Sequence, residues 1–312
     1  MSSDKARIVV VGSINMDLVV RATHFPTPGE TVLGEQLVTT PGGKGANQAV
    51  AVARMGGRCA MVGRVGMDEF GSTLVAGLKA EGIDCTHVLD TEDASTGVAM
   101  IVVDAKGENS IVVAGGANRL LTPDDLFACS GVFADASVMV VQMELPLQTV
   151  HAAVQLARRS GCKIILDPAP PTKAMCPELY QVDIIAPNAQ EAEVLTGQLA
   201  IEERVDKSVA MELLARGAGA AVLKLGPRGA LVVTKDGLIE RVPAYKVQVV
   251  DTTGAGDAFV GALAVAAAEE IDLVSAVKLA NATGALACTR SGAQAAMPRR
   301  DAVVRFMHEQ SV

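Results

Sequence analysis

Positions 250–259, with the sequence VDTTGAGDAF, carry the residue types needed to hold a phosphate group and to remove a proton beside it. Gly254, Ala255 and Gly256 let the main chain approach a ligand closely. The first N–H groups of the apolar helix predicted after them have no partner inside that helix. Such helix starts bind anions. Asp257 should repel a phosphate there, so we interpret it as a base that takes the proton of a hydroxyl attacking the phosphorus.

A second glycine-rich run, PGGKGANQA at positions 41–49, opens a predicted helix that continues to Met55. Its glycines also permit close backbone approach, and Lys44 and Asn47 lie three positions apart, so both side chains can face one ligand. The run is not a Walker A loop, because no Lys-Ser or Lys-Thr pair ends it. A helix start of this kind is also compatible with a tight turn that binds nothing.

Polar residues follow the predicted parallel strands. The strands span residues 8–11, 137–141, 163–166, 183–186 and 220–223. The last four are followed by Glu144, Asp167, Asn188 and Lys224. Because ligands of open α/β sheets bind outside the carboxyl ends of the strands, this placement predicts a ligand crevice. Taken singly, each residue has an ordinary alternative: Asn188 with Glu191 is also the pattern of a helix capping box.

The first strand is followed by a predicted loop that contains Asn15, Met16 and Asp17. Asn15 and Asp17 are therefore well placed to hydrogen-bond a polar ligand, with an Asx turn as the alternative interpretation.

Four further short strands are predicted outside this βα pattern, and they indicate a small lid. They span residues 18–21, 31–39, 98–103 and 109–113. No helix is predicted between the first two, and a hairpin turn joins the last two, so we expect an antiparallel β lid drawn from about 17–40 and 97–114. The whole chain, 1–312, is predicted to form one α/β domain with a doubly wound, mostly parallel sheet. A lid with one uncovered face either closes on a ligand or meets a partner subunit.

Composition excludes several classes of function. The net charge of −8 and the absence of Trp argue against binding to nucleic acid or to anionic membrane lipids. The six cysteines are scattered along the chain and show no C-x-x-C pair, so free thiols in a reduced compartment are favoured over a disulfide framework or a zinc site. Charged residues precede the first strand where a secretory segment would be apolar, and we expect a cytoplasmic protein.

Two motifs, GGKGAN at 42–47 and DTTGAGD at 251–257, resemble the two signatures of the PfkB sugar-kinase family, and the resemblance extends over the whole chain. The segments GSINMD at 12–17, PGGKGANQA at 41–49 and RSGAQ at 290–294 are most similar to family members that phosphorylate D-ribose. The resemblance implies the predicted fold and an ATP-dependent transfer of the γ-phosphoryl group to the 5-hydroxyl of D-ribose.

The resemblance also implies roles for individual residues. Asp257 would be the general base, and the N–H groups of Gly254, Ala255 and Gly256 would form the anion hole for the transferred group. The sugar would contact Asn15, Met16, Asp17, Gly43, Lys44, Gly45, Ala46, Asn47, Glu144 and Asp257. ATP and its Mg²⁺ would contact Asn188, Glu191, Lys224, Leu225, Gly226, Pro227, Arg228, Gly229, Gly256, Asp257 and Asn281.

Family members that are activated by a monovalent cation bind it with an aspartate and main-chain carbonyls of two loops. In this chain those residues would be Asp251, Thr253, Ala287, Arg290, Gly292 and Ala296. Carbonyl oxygens suit a weakly hydrated ion such as K⁺. One departure is Lys224, which stands where the family often has Thr, so contacts with the nucleotide phosphates are expected to differ in detail.

Two alternative functions stay open at this stage. The first is a family kinase for another acceptor: deoxyribose, fructose, a keto-deoxy sugar acid or a nucleoside. The second is a non-catalytic sugar sensor, whose expected mark, the loss of Asp257 or of its neighbouring glycines, is not seen. The uncovered lid face further suggests a homodimer formed through the lid.

Overall fold

The computed structural model describes residues 7–310. The strands are β1 (Arg7–Val11), β2 (Asn15–Arg21), β3 (Leu37–Gly42), β4 (Arg58–Gly66), β5 (Asp84–Thr91), β6 (Gly97–Val103), β7 (Asn109–Ala114), β8 (Ala136–Val141), β9 (Lys163–Leu166), β10 (Ile184–Ile185), β11 (Ala220–Lys224), β12 (Ala230–Thr234) and β13 (Ile239–Val242). The α-helices are α1 (Lys44–Arg54), α2 (Glu69–Ala80), α3 (Pro123–Ala128), α4 (Gly131–Ala134), α5 (Leu147–Arg159), α6 (Ala189–Thr196), α7 (Glu203–Arg216), α8 (Ala255–Ala268), α9 (Leu273–Ala287) and α10 (Arg300–Glu309).

The main sheet confirms the predicted doubly wound architecture. Its order is β13-β12-β11-β10-β9-β8-β1-β4-β5, and the strands from β11 to β5 are parallel. The chain winds from β1 toward β5 on one side and from β8 toward β11 on the other. The strand order therefore reverses between β1 and β8, and the crevice outside their carboxyl ends is where such a sheet binds ligands.

Both faces of the main sheet are covered, which explains why its strands are apolar throughout. In β1, Ile8 and Val10 pack into one core with α1, α8 and α9, whereas Val9 and Val11 pack into the other core with α5 and α7. All four side chains are fully buried. Successive residues of a strand point to opposite faces, so a strand between two helical layers needs an unbroken apolar run.

Helices α1 and α8 pack unusually closely, and this contact assembles the candidate site. A Cβ atom on Gly261 of α8 would lie 2.4 Å from the Cβ atom of Ala51 of α1. Only glycine permits this approach. The contact brings the polar residues at the start of α1 next to Asp257 in the first turn of α8.

The predicted lid is present as a four-stranded sheet of order β3-β2-β6-β7. The β2–β3 and β6–β7 pairs are antiparallel, as expected, and the central β2–β6 pair is parallel.

Several predicted boundaries are wrong. Asn15, Met16 and Asp17 lie in β2 rather than in a loop, because pairing with β3 and β6 begins directly after the Gly12–Ile14 turn. The strand predicted at residues 31–39 lies at Leu37–Gly42. Edge strands β5 and β13, strand β12 and helix α7 were not predicted. No helix within residues 7–310 is both long and apolar enough to cross a bilayer.

Candidate active site

Asp257 is buried in the first turn of α8, with 5% of its surface exposed. Its Oδ2 accepts a hydrogen bond from Nδ2 of Asn47 at 3.0 Å, and its Oδ1 accepts one from Nε2 of Gln48 at 3.0 Å. Both donors lie near the start of α1. Two amides thus fix the orientation of the carboxylate without neutralising its charge.

A buried polar chain connects Asp257 to Lys224. Nε2 of Gln48 also donates to Oδ2 of Asp167 at 2.8 Å, and Nζ of Lys224 donates to Oδ1 of Asp167 at 2.7 Å. Gln142, at the end of β8, donates to Oε1 of Gln48 at 2.6 Å. Buried polar groups need such partners, because an unpaired one costs the full loss of its hydration.

Charge and burial oppose each other in this site. Burial raises the pKa of Asp257, Lys44 lowers it and Asp167 raises it further. Burial works against the charged form of Lys44, but Asp257, Asp167, Glu144 and Glu191 together raise the pKa of that ammonium. The site therefore holds a charged lysine beside a carboxylate that binds protons more strongly than an exposed one.

Polar side chains from three segments meet at the carboxyl end of β1. Asn15 is buried and accepts a hydrogen bond from Nδ2 of Asn118 at 2.8 Å. Glu144 accepts from the Ser13 hydroxyl, and from the N–H group of Lys44 at 3.2 Å. Met16 is buried in β2, and the N–H group of Ala46 donates to the Ser13 carbonyl at 2.9 Å.

Asp17 packs against the backbone of Gly42 at the base of the lid. A Cβ atom on that glycine would lie 2.2 Å from the carboxylate. Burial, with the charges of Glu144 and Asp257, raises the pKa of Asp17 to about 7. The folded protein thus binds this proton more tightly than the unfolded chain does, so ionisation of Asp17 costs stability as the pH rises from about 4 to about 7.

The variant Asp17→Asn is expected to gain stability relative to the parent protein as the pH rises. At pH 8 the parent carries a buried carboxylate that the variant lacks, and the difference in free energy of unfolding should reach up to a few kcal/mol. Urea unfolding at pH 5 and pH 8 measures this difference, with the exposed Asp93→Asn as the control. If the difference in free energy of unfolding between variant and parent is the same at both pH values, the raised pKa of Asp17 is contradicted.

The capping-box alternative for Asn188 and Glu191 is correct as a description of the structure. Oδ1 of Asn188 accepts from the Glu191 N–H group at 2.8 Å, and Glu191 accepts from the Asn188 N–H group at 2.6 Å. The box also lies beside the polar chain, since Nζ of Lys224 is 3.7 Å from Oε2 of Glu191. Capping and ligand binding are therefore compatible roles for this pair.

The predicted nucleotide loop, residues 224–229, is a tight turn after β11. The N–H group of Leu225 donates to the Gly229 carbonyl at 2.8 Å. Gly226 and Pro227 are exposed, whereas the Arg228 guanidinium pairs with the fully buried Asp206 of α7 at 2.6 Å. Asn281 of α9 donates to the Val242 and Pro243 carbonyls. The Arg228 and Asn281 side chains therefore have structural partners of their own.

Asp251 joins the two loops predicted to bind a cation. Its Oδ1 accepts from the N–H and hydroxyl groups of Thr253 at 2.9 and 2.7 Å, and its Oδ2 accepts from the Gly292 N–H group at 2.8 Å. Burial works against the charge, but these hydrogen bonds lower the pKa of Asp251. Beside it, Gly254 packs against Ala293. The two loops thus meet around a charged carboxylate.

The sequence did not mark three residues of the polar chain as site residues. Gln48, Asp167 and Gln142 are at most 1% exposed; Gln48 and Asp167 link Asp257 to Lys224, and Gln142 donates to Gln48. A signal existed for Gln48, which is a polar residue on the buried face of an Ala- and Val-rich helix. Asp167 was noted only as one of several polar strand ends.

Comparison with known proteins shows extensive similarity. The sequence profile of the pfkB family of carbohydrate kinases matches residues 5–300. The ribokinase of Haemophilus influenzae is 37% identical over 300 residues, 96% of this chain and 98% of that protein. The ribokinase of Mus musculus is 38% identical over 299 residues, 95% of this chain and 93% of that protein. The structure of Arabidopsis thaliana ribokinase complexed with ribose and ATP matches with a TM-score of 0.90 at 30% identity, covering 97% of this chain and 98% of that one.

Proposed function

This chain belongs to the pfkB family of carbohydrate kinases, and we propose that it transfers the γ-phosphoryl group of ATP to the 5-hydroxyl of D-ribose. The observation that carries the proposal is the placement of Asp257 between two amide donors, at the start of a helix whose first residues are glycine and alanine. The relatives named ribokinase, one of them in complex with ribose and ATP, support the choice of substrates.

Asp257 acts as the general base. Its raised pKa makes the carboxylate a better proton acceptor than an exposed aspartate, and Lys44 keeps enough positive charge nearby for it to ionise. As the pH falls through the pKa of Asp257, the base becomes protonated and turnover declines.

The sugar binds between the start of α1 and the lid strand β2. Oδ1 of Asn47 is buried and has no hydrogen-bond partner among residues 7–310. Buried amide oxygens rarely stay unpaired, and a sugar hydroxyl beside Asp257 supplies the missing donor. The carboxylates of Asp17 and Glu144 and the amide of Asn15 lie nearby as further partners for sugar hydroxyls. The other predicted sugar contacts are Met16, Gly43, Lys44, Gly45 and Ala46.

The N–H groups of Gly254, Ala255 and Gly256 stabilise the charge on the transferred group. Gly254 has a positive φ of 74°, which turns the chain into α8, and Gly256 is exposed. The N–H group of Ala255 donates to the Thr252 carbonyl at 3.2 Å. N–H groups at a helix start, next to the Lys224 ammonium, form a fitting cradle for a phosphoryl group.

Gly256→Ala is expected to lower turnover by about 10²-fold without loss of stability. A Cβ atom at this position meets only Nζ of Lys224, at 3.7 Å, so the folded chain accepts it, but the methyl group enters the phosphoryl cradle. Turnover and melting temperature together measure the effect. Gly43→Ala is the contrast, because its φ is 86° and its Cβ would lie 2.7 Å from the Asn15 nitrogen, so that variant loses stability. Normal turnover in Gly256→Ala would exclude the cradle.

ATP binds along residues 224–229, with Asn188 and Glu191 near its phosphates and Asn281 near the base. Oxygen-rich Asn188 and Glu191 fit Mg²⁺, either directly or through waters, and a bound Mg²⁺ neutralises phosphate charge. Lys224 stands where the family often has Thr, and its ammonium adds a positive charge near the phosphates.

K⁺ binds at Asp251 and the carbonyl groups of the two loops that meet there. The charged, partly buried carboxylate and the meeting of both loops support this site. The main-chain carbonyls belong to Thr253, Ala287, Arg290, Gly292 and Ala296. The ion would hold the loops next to the start of α8.

A coupled assay of ADP release over a panel of sugars, with and without K⁺, tests the function. D-ribose should give the highest specificity constant among ribose, 2-deoxyribose, fructose and nucleosides, and K⁺ should increase it where Na⁺ does not. A higher specificity constant for another acceptor would replace ribose as the substrate. Ribose binding without ADP release would make the chain a sensor.

We also propose a homodimer formed through the lid, and the apolar side chains that the lid exposes support it. Met100 and Val112 are directly opposite across β6 and β7 and are 49% and 61% exposed. They share a face with Leu18, on the side of the lid opposite Asp17. Light scattering at micromolar concentration should give twice the mass of one chain, and the mass of a single chain would contradict the dimer.

A further inference from the structure

Three potential metal ligands from two separate segments lie together outside the candidate active site. His151 is in α5, and Cys176 and Glu178 are at the start of the short 3₁₀ helix Pro177–Tyr180. One ligand atom from each of the three side chains lies within 4.8 Å of the other two. His151 lies 25 positions before Cys176 in the sequence, so only the fold reveals this cluster.

The separations are close to those required around one ion. Zn²⁺ forms bonds of about 2.0–2.3 Å in tetrahedral geometry, which places its ligand atoms about 3.3–3.8 Å apart. The three ligand atoms therefore need to move about 1 Å closer to one another to bind one ion. His151 and Cys176 are half-buried and Glu178 is exposed, so all three can rotate toward a common point without disturbing the core.

The backbones that carry the ligands are fixed, which favours a built site over a chance encounter of mobile side chains. Val150 and Leu179, neighbours of the ligands on the two segments, are fully buried in the same core. Nε2 of Gln155 lies 3.4 Å from Nε2 of His151. Metal-binding imidazoles commonly have such an outer hydrogen-bond partner, which orients the ring.

The cluster combines three kinds of ligand atom, from a carboxylate, a thiol and an imidazole. The pKa of Glu178 is lowered by its own backbone N–H group first, then by a hydrogen bond from Cys176 and by the charge of His151. A charged carboxylate beside a thiol and an imidazole is a donor set for a borderline-soft divalent ion. Mg²⁺ prefers oxygen ligands only, so the set discriminates against it.

We propose that His151, Cys176 and Glu178 bind one Zn²⁺ ion, with water in the fourth position. The ion would link helix α5 to the segment that runs from Asp167, at the end of β9, to Cys176. Helix α5 begins three residues after Glu144. Bound metal therefore stabilises the folded chain and holds the two segments together. This proposal does not depend on the proposed kinase function.

Titration with Co²⁺ in the presence of excess Mg²⁺ tests the site, using untagged, reduced, full-length protein. A Co²⁺–thiolate bond gives an intense near-ultraviolet charge-transfer band, whereas Co²⁺ at an all-oxygen nucleotide site does not. We expect the band to saturate at one Co²⁺ per chain and to disappear when Zn²⁺ displaces it. The melting temperature should rise with either ion.

Matched variants separate this site from other thiols. Cys176→Ser should abolish the band, and His151→Ala should weaken Co²⁺ binding by at least about tenfold, since even outer partners of metal ligands are worth that much. Cys129→Ser, which removes another half-buried thiol, should change neither. A band that survives Cys176→Ser, or the absence of any band in the parent protein, would refute the site.

Discussion

The variant Asp257→Asn is expected to lower turnover by at least about 10²-fold while ribose binding is largely kept. The carboxylate is the proton acceptor in the proposed transfer, and an amide cannot take that role. The loss belongs to turnover rather than to binding, because the base acts on the hydroxyl as it attacks. Steady-state kinetics and calorimetric titration with ribose measure the two quantities separately.

The fold should tolerate this substitution. Oδ1 and Oδ2 of Asp257 accept from Gln48 and Asn47, and an Asn side chain would present one NH₂ group to a donor. Oδ1 of Asn47 lacks a partner within the described residues, so a half-turn of the Asn47 amide lets it accept from the new NH₂ group. The exposed Asp301→Asn is the control. Turnover close to that of the parent protein would remove Asp257 from the role of base.

The second large effect is expected for Lys224→Met, which should destabilise the protein by about 3–5 kcal/mol. The Lys224 ammonium is the charged partner of Asp167, which is 1% exposed, and burial of a carboxylate without its partner is costly. Although burial opposes the charge of Lys224, Asp167 and Glu191 raise the pKa of this side chain. Urea unfolding measures the loss, and the exposed Lys207→Met serves as the control.

The double variant Asp167→Asn/Lys224→Met separates structure from catalysis. It removes both charges of the pair, so most of the lost stability should return. Turnover should nevertheless stay at least about tenfold below that of the parent protein, because the cation beside Gly256 remains absent. If the double variant recovers full turnover, Lys224 serves only to compensate Asp167. If Lys224→Met alone is as stable as the parent, the buried pair contributes no net stability.

Local patterns predicted much of the fold. The spacing of apolar residues and the capping residues at helix ends predict the apolar strands β1, β8, β9 and β11 and the helices α5 and α9. Each pattern reflects burial on a fixed face. Edge strand β5 and helix α7 were missed. The β5 segment is polar and only partly buried, and charged residues, including the buried Asp206, interrupt the apolar residues of α7, so neither carries a strong periodic signal.

Residue types in two short motifs predicted the chemistry. The first motif combines a helix start built from small residues with an aspartate that should not lie beside a phosphate unless it accepts a proton. The second motif places a lysine and an amide three positions apart. A phosphate site with a proton acceptor beside it followed from them, because the geometry of a helix start and the basicity of a carboxylate are local properties. The family and the proposed reaction came from the resemblance of these motifs, and the fold class came from the repeated pattern of strands.

The tertiary structure decided which side chains work together. Asn47 and Gln48 reach Asp257, 210 and 209 positions away, only because Gly261 lets α1 and α8 touch. Asp167 and Lys224 become a buried pair only where β9 and β11 end at the same edge. His151 meets Cys176 only through the packing of α5. Positions 250–259 contain the proposed base and the proposed cradle for the phosphoryl group. The amides and the ammonium beside them are contributed by distant segments, which no local pattern could identify.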